Sequence, residues 1–135
     1  TKLSNYVSLY KLQEAVEFCG FESNKYKIFS SIDILVSTSL SEGFGRTVAE
    51  AMSFGIPCIG LEESGGINEI ISNGINGVII NNNPYELSNA LVQIIENKSF
   101  RDTISRNAIT SFQKNFTEDI MCRNYFEFIK KIFIT

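Results

Sequence analysis

Ile34-Leu35-Val36, then Ser41-Glu42-Gly43-Phe44-Gly45-Arg46-Thr47-Val48-Ala49-Glu50-Ala51-Met52, then Gly55-Ile56-Pro57-Cys58-Ile59-Gly60 is the most informative stretch of the chain. Ile34–Val36 is a short continuous apolar run, the pattern of a strand buried on both faces of a parallel sheet. The segment from Arg46 to Phe54 has helical texture, with Gly55 where a helix stops and Pro57 just beyond. Pro57 to Gly60 is apolar again and reads as the next strand. Strand, loop, helix, strand is the unit from which parallel sheets are assembled.

The flanks extend the same alternation. Upstream, Leu3, Val7 and Tyr10 predict a first helix, Ala15–Cys19 a strand closing at Gly20, and Tyr26 to Ile32 a short helix. Downstream, Ile67 to Ser72 predicts a helical turn or two ended by Asn73-Gly74. Gly77 to Ile80 then forms a further strand, left through the turn residues Asn81-Asn82-Asn83-Pro84. From Tyr85 the apolar residues fall only at helical spacing: Leu87, Leu91, Ile94 and Ile95; Ile104, Ala108 and Phe112; Met121, Tyr125, Phe128, Ile129 and Ile132. Ser99 ahead of Asp102, and Thr117 ahead of Glu118 and Asp119, are the expected starts of the last two helices. The expectation is one α/β domain over residues 1–135, a parallel sheet with flanking helices and a helical C-terminal end.

Composition narrows the function. With 44% hydrophobic and 20% charged residues, the 135-residue chain can build a core. Its net charge of −3, without a lysine-rich stripe, gives no electrostatic support for nucleic acid or an anionic membrane. There is no histidine, so His-based general base catalysis, a Ser-His-Asp triad and most zinc sites cannot be built from this chain. Cys19, Cys58 and Cys122 are far apart and odd in number, which reads as buried free thiols of a soluble, cytoplasmic protein. No apolar run approaches the roughly 20 residues of a spanning helix. The aromatic segment from Phe116 to Phe133 is read as a packing helix rather than a membrane anchor. The chain opens on Thr rather than Met and enters in mid-pattern, as a piece of a longer protein would.

The chemistry concentrates between residues 41 and 52. In a doubly wound sheet, ligands bind where strand ends turn into helices. Gly43 and Gly45 permit a tight turn and close approach of backbone to ligand. The N–H groups from about Phe44 to Thr47 lie at a helix start, where intrahelical acceptors are lacking and a diphosphate can be bound. Glu42 precedes those donors and Glu50 follows a turn inside the helix. A carboxylate accepts two hydroxyl hydrogen bonds at once, which suits a sugar diol. One carboxylate on each side of an anion site therefore fits a nucleotide-sugar. Against this, a glycine-rich loop before a helix is common and two glutamates at this spacing arise by chance, so spacing alone leaves the site open. Arg46 stands for two roles, neutralising diphosphate charge or pairing with Glu42 or Glu50.

The string SxxEGFGxxxxEAMxxGxP is followed by Glu63-Ser64-Gly65-Gly66-Ile67-Asn68-Glu69-Ile70 and Asn73-Gly74-Ile75-Asn76-Gly77. Together they resemble the C-terminal domain of GT-B glycosyltransferases of family 4, the retaining "glycosyl transferases group 1" enzymes. Glu42 and Glu50 match that family's E-x7-E motif, and the resemblance runs from about residue 15 to residue 133. It implies a Rossmann-like donor-binding half-domain whose partner, an N-terminal acceptor domain, is not represented in this chain. It implies that Glu42 holds the transferred hexose, that Gly43, Phe44, Gly45 and Arg46 line the sugar and diphosphate, and that Glu50 holds the ribose. Thr47 would add a hydroxyl to the phosphates, and Gly65 and Gly66 resemble the loop that closes over the same crevice. Glu69 is read as a solvated helix residue, Gly74 and Gly77 as turn glycines. Glu42 and Arg46 would carry the catalytic roles, neither glutamate as a nucleophile, with a UDP- or GDP-linked sugar as substrate and no cofactor or metal. At most peripheral membrane association of the full enzyme is implied, in a setting such as surface-polysaccharide synthesis. The resemblance leaves two other readings: a GT-B-like sugar-nucleotide epimerase, or a non-catalytic sugar-nucleotide-binding subunit that needs a partner chain.

Overall fold

A computed structural model describes residues 2–133. Three parallel strands, β1 (Leu35–Ser37), β2 (Cys58–Leu61) and β3 (Val78–Ile80), lie in the order β1-β2-β3. The register sets Leu35 opposite Cys58, Ile59 opposite Val78 and Gly60 opposite both Ser37 and Ile79. Helix α3 (Arg46–Ser53) connects β1 to β2, and a short helix α4 (Ile67–Ile70) connects β2 to β3. Gly55, at φ +72°, ends the α3 segment as its position predicts.

The central strand is buried on both faces, and its alternation divides the core. Cys58 faces a cluster with Phe29, Val48, Ala51, Met52, Ile67 and Ala108. Ile59 and Leu61 face a second cluster with Val78, Ile80, Ala90, Ile94 and Ile104. Helices α3 and α4 cover the first face, and α5 (Pro84–Glu96) the second, while α6 (Lys98–Asn115) contributes Ala108 to one and Ile104 to the other. The α/β, Rossmann-like architecture of the sequence reading is therefore the fold observed. β1 differs from the expected doubly buried strand: each of its residues is only partly buried, because it forms one edge of the sheet and pairs only with β2 among the described residues.

Other departures have local causes. Ala15–Cys19 forms no strand, since Ala15 N and Val16 N both donate to Leu12 O and spend their donors in a turn. Cys19 is consequently exposed, as is Cys122, and only Cys58 is the buried thiol expected of all three. Helix α1 (Lys2–Leu9) forms as predicted but buries no residue, and Lys11 in the left-handed region (φ +55°) follows it. Helix α2 (Lys25–Phe29) is shorter than Tyr26–Ile32 suggested and starts one residue earlier, where Asn24 accepts from Lys27 N. Helix α6 starts at Lys98 rather than after Ser99, because the Asn97 side chain accepts from Phe100 N at 3.0 Å. Helix α7 (Glu118–Phe133) follows Thr117 as expected and likewise buries none of its residues. No helix of the described residues is long and apolar enough to cross a membrane.

Candidate functional site

Adjacent parallel strands deliver their following loops to the same end of a sheet, and here those loops are joined. Residues 38–45 lead from β1 into α3; a 3-10 turn at Glu62–Ser64, followed by Gly65 and Gly66, leads from β2 into α4. Glu42 N donates to Ser64 O at 2.9 Å and Gly66 N donates to Glu42 O at 3.0 Å, forming a parallel bridge between Glu42 and Gly65. Gly65 and Gly66 thus act as the support on which the 42–45 loop is hung. A Cβ at residue 66 would lie 2.7 Å from Glu42 O and from both Gly43 C and Gly43 O, so only glycine allows this approach.

Gly45 caps α3 in the left-handed region (φ +86°, ψ +47°), and a Cβ there would stand 3.0 Å from Ile67 Cγ1. No side chain caps this helix. Val48 N and Ala49 N close the first turn on Gly45 O, whereas the N–H groups of residues 43 to 47 have no acceptor among the described residues. Five consecutive donors at a helix N-terminus make a concentrated patch of positive potential. Phe44 anchors the loop, its ring packed on the core and edge-on to Phe116 with centroids 5.7 Å apart.

The two glutamates differ in how they are held. The backbone of Glu42 is engaged in the bridge, and its half-buried side chain makes no ion pair or hydrogen bond among the described residues. The Glu50 carboxylate, 29% exposed, meets two cations at Oε1: Lys25 Nζ at 2.5 Å and Arg46 Nη2 at 3.9 Å. Of the two roles open to Arg46, the structure shows pairing, with Glu50 and not Glu42; at 3.9 Å and 81% exposure the contact is loose and the guanidinium can turn away. Thr47 is exposed at the same helix start.

Glu69 is exposed and points to no partner among the described residues, as a solvated helix residue should. Gly74 (φ +73°) and Gly77 sit in a turn closed by Gly74 N to Gly77 O at 2.9 Å. Asn76 beside them is buried and structural: its Oδ1 accepts from Ser72 N, and its Nδ2 donates to Ile70 O and Ser111 Oγ. Ser64 is also buried, and its Oγ is without a hydrogen-bond partner among the described residues. Lys25 was missed in the sequence: it lies 25 positions from Glu50, and no local spacing connects them.

The family described as "Glycosyl transferases group 1" matches residues 1–111. The UDP-N-acetylglucosamine–peptide N-acetylglucosaminyltransferase GtfA subunit of Streptococcus agalactiae is 28% identical over 137 aligned positions, 97% of this chain and 27% of that protein. An uncharacterized glycosyltransferase of Methanocaldococcus jannaschii is 32% identical over 119 positions, 86% of this chain and 33% of that protein. Among solved structures, Anabaena Alr3699/HepE in complex with UDP and glucose superposes with a TM-score of 0.89 at 26% identity, covering 96% of this chain and 36% of that one. The chain thus spans about a third or less of the length of these curated relatives.

Proposed function

Because the chain belongs to the glycosyl transferases group 1 family, we propose that it is the donor-binding part of a retaining hexosyltransferase of glycosyltransferase family 4. The donor is a nucleoside-diphosphate sugar carried on UDP or GDP. The observation that supports this best is the run of unpartnered N–H groups at residues 43 to 47, with the free Glu42 carboxylate before it and Glu50 after it. The order matches the ligand: hexose at Glu42, diphosphate on the amides, ribose at Glu50. The ligand class agrees with a neighbour of this fold whose structure holds UDP and glucose.

Donor cleavage leaves a nucleoside diphosphate whose charge must be met as it develops. The amides of Gly43, Phe44, Gly45, Arg46 and Thr47 are fixed by the bridge to Gly65 and Gly66 and need no reorganisation to meet it. Arg46, loosely held by Glu50, swings onto the phosphates, and the Thr47 hydroxyl adds a further donor. No divalent metal is required in this scheme, and neither Glu42 nor Glu50 acts as nucleophile. The acceptor belongs to an N-terminal domain or partner chain beyond these residues, and the setting is assembly of a surface polysaccharide or glycoconjugate at the cytoplasmic side.

The test is binding. Ligand-observed NMR or calorimetry with UDP, GDP and their hexose conjugates should show weak saturable binding to this chain, lost in Glu50→Ala. Absence of binding by every nucleotide-sugar, or binding indifferent to Glu50→Ala, refutes the reading. Transfer activity should require the acceptor half; turnover by these residues alone would refute that part.

A further inference from the structure

Among the described residues Lys25 makes the shortest ion pair, and it makes it with the carboxylate assigned above to the ribose. The pair is not a chance meeting of two free surface chains. Helix α2, on which Lys25 is the first residue, is capped by Asn24 and pinned to the end of α3 by aromatic rings. Phe29 is buried against Phe54 (centroids 5.3 Å apart), and Tyr26 lies 6.0 Å from the same ring. The other α2 cation, Lys27, is taken by Glu22 at 2.7 Å, which leaves Lys25 for Glu50. Both ends of the pair are therefore carried on elements fixed to one another.

We propose that Lys25 is a positioning residue for the donor: by holding Oε1 of Glu50 it orients the carboxylate and leaves Oε2 as the acceptor for the ribose hydroxyls. This rests on the donor-site reading of Glu50. The division of labour between the two cations follows from their distances. Arg46, at 3.9 Å and 81% exposed, is free to leave Glu50 for the diphosphate, whereas Lys25, 56% exposed but carried on a helix packed against the end of α3, stays in hydrogen-bond contact and keeps Glu50 oriented.

The variants are Lys25→Met, Lys25→Arg and Glu50→Gln in the 135-residue chain, titrated by NMR with UDP and with its 2′,3′-dideoxy analogue. Lys25→Met should weaken UDP about fivefold to tenfold and the dideoxy analogue less than about twofold, since only the former has hydroxyls for an oriented carboxylate. Lys25→Arg should restore UDP binding to within about threefold, and Lys25→Met should add little on top of Glu50→Gln. Equal loss for both nucleotides overturns the positioning role. UDP binding that falls in Glu50→Gln but not in Lys25→Met overturns it too and leaves the donor site standing. UDP binding unaffected by Glu50→Gln overturns the donor site itself.

Discussion

Gly66→Ala tests the architecture of the site at its support, since Gly66 has no side chain to offer a ligand. Gly66 has φ −56° and ψ −27°, which alanine adopts freely, so the substitution carries no dihedral strain. What it meets is backbone: the new methyl would stand 2.7 Å from Glu42 O, Gly43 C and Gly43 O, well inside van der Waals contact. No rotamer change relieves a clash with main chain, so the 42–45 loop must lift off its support. Lifting breaks Gly66 N to Glu42 O and Glu42 N to Ser64 O, each worth about 1 kcal/mol net. Overpacking that the loop does not relieve adds about 1–2 kcal/mol. The expected loss is about 2–4 kcal/mol, or about 8–15 °C in thermal midpoint for a domain of this size. Gly43→Ala is the control, since nothing lies within 4 Å of a Cβ there, and it should shift the midpoint by no more than about 2 °C. Circular dichroism melts read the first effect. UDP titration at a temperature where both variants are folded reads the second, with affinity in Gly66→Ala down more than about tenfold because the displaced amides no longer converge. A Gly66→Ala protein that melts within about 2 °C of the parent and binds UDP equally would refute the view that this bridge sets the site.

Two further outcomes follow from burial. Cys58, fully buried with its Sγ donating to Ile56 O, has its thiol pushed up to about 12 by desolvation, while Cys19 and Cys122 are exposed. Alkylation at pH 8 should label two thiols promptly and the third only in denaturant; and because the unfolded thiol ionises near its ordinary value of 9.0, this group's contribution to stability is complete below that pH and is lost as pH rises toward about 12. Asn76→Ala removes the partner of Ser72 N and Ile70 O in the buried turn and of Ser111 Oγ on α6, and should cost about 2–3 kcal/mol, seen as a lower urea midpoint with an unchanged slope; an unchanged midpoint would show that Asn76 does not hold this loop.

The elements legible in the sequence were those whose pattern and packing agree. Cys58–Leu61 is apolar at every position because it is the central strand, walled by a cluster on each side. The helical spacing from Tyr85 is α5, although the helix opens one residue earlier at Pro84, and Asn83, read as a turn residue, caps it by accepting from Tyr85 N. Where pattern misled, a partner was missing. Ala15–Cys19 is apolar enough for a strand, but a strand requires a ladder, and Leu12 O had already taken the donors. Ser99 is not the start of α6, because Asn97 ends α5 and caps α6 at once and no gap separates the two helices.

Site legibility divides along the same line. Glu42, Gly45 and Glu50 lie on one strand-loop-helix segment, so their spacing carries their geometry. The support of that geometry comes from the next loop, and its signal was faint: Gly65-Gly66 showed that backbone comes close, but not to what. Lys25 carried no signal, because the contact that matters is made across 25 residues by two helices pinned through Phe54. A motif therefore gives the spacing of groups along one segment, while the groups that hold them in place are set by tertiary packing. If Lys25→Met discriminates between ribose and dideoxyribose, the boundary of the donor site must be drawn to include α2, and the E-x7-E segment alone is insufficient to specify how the nucleotide is held.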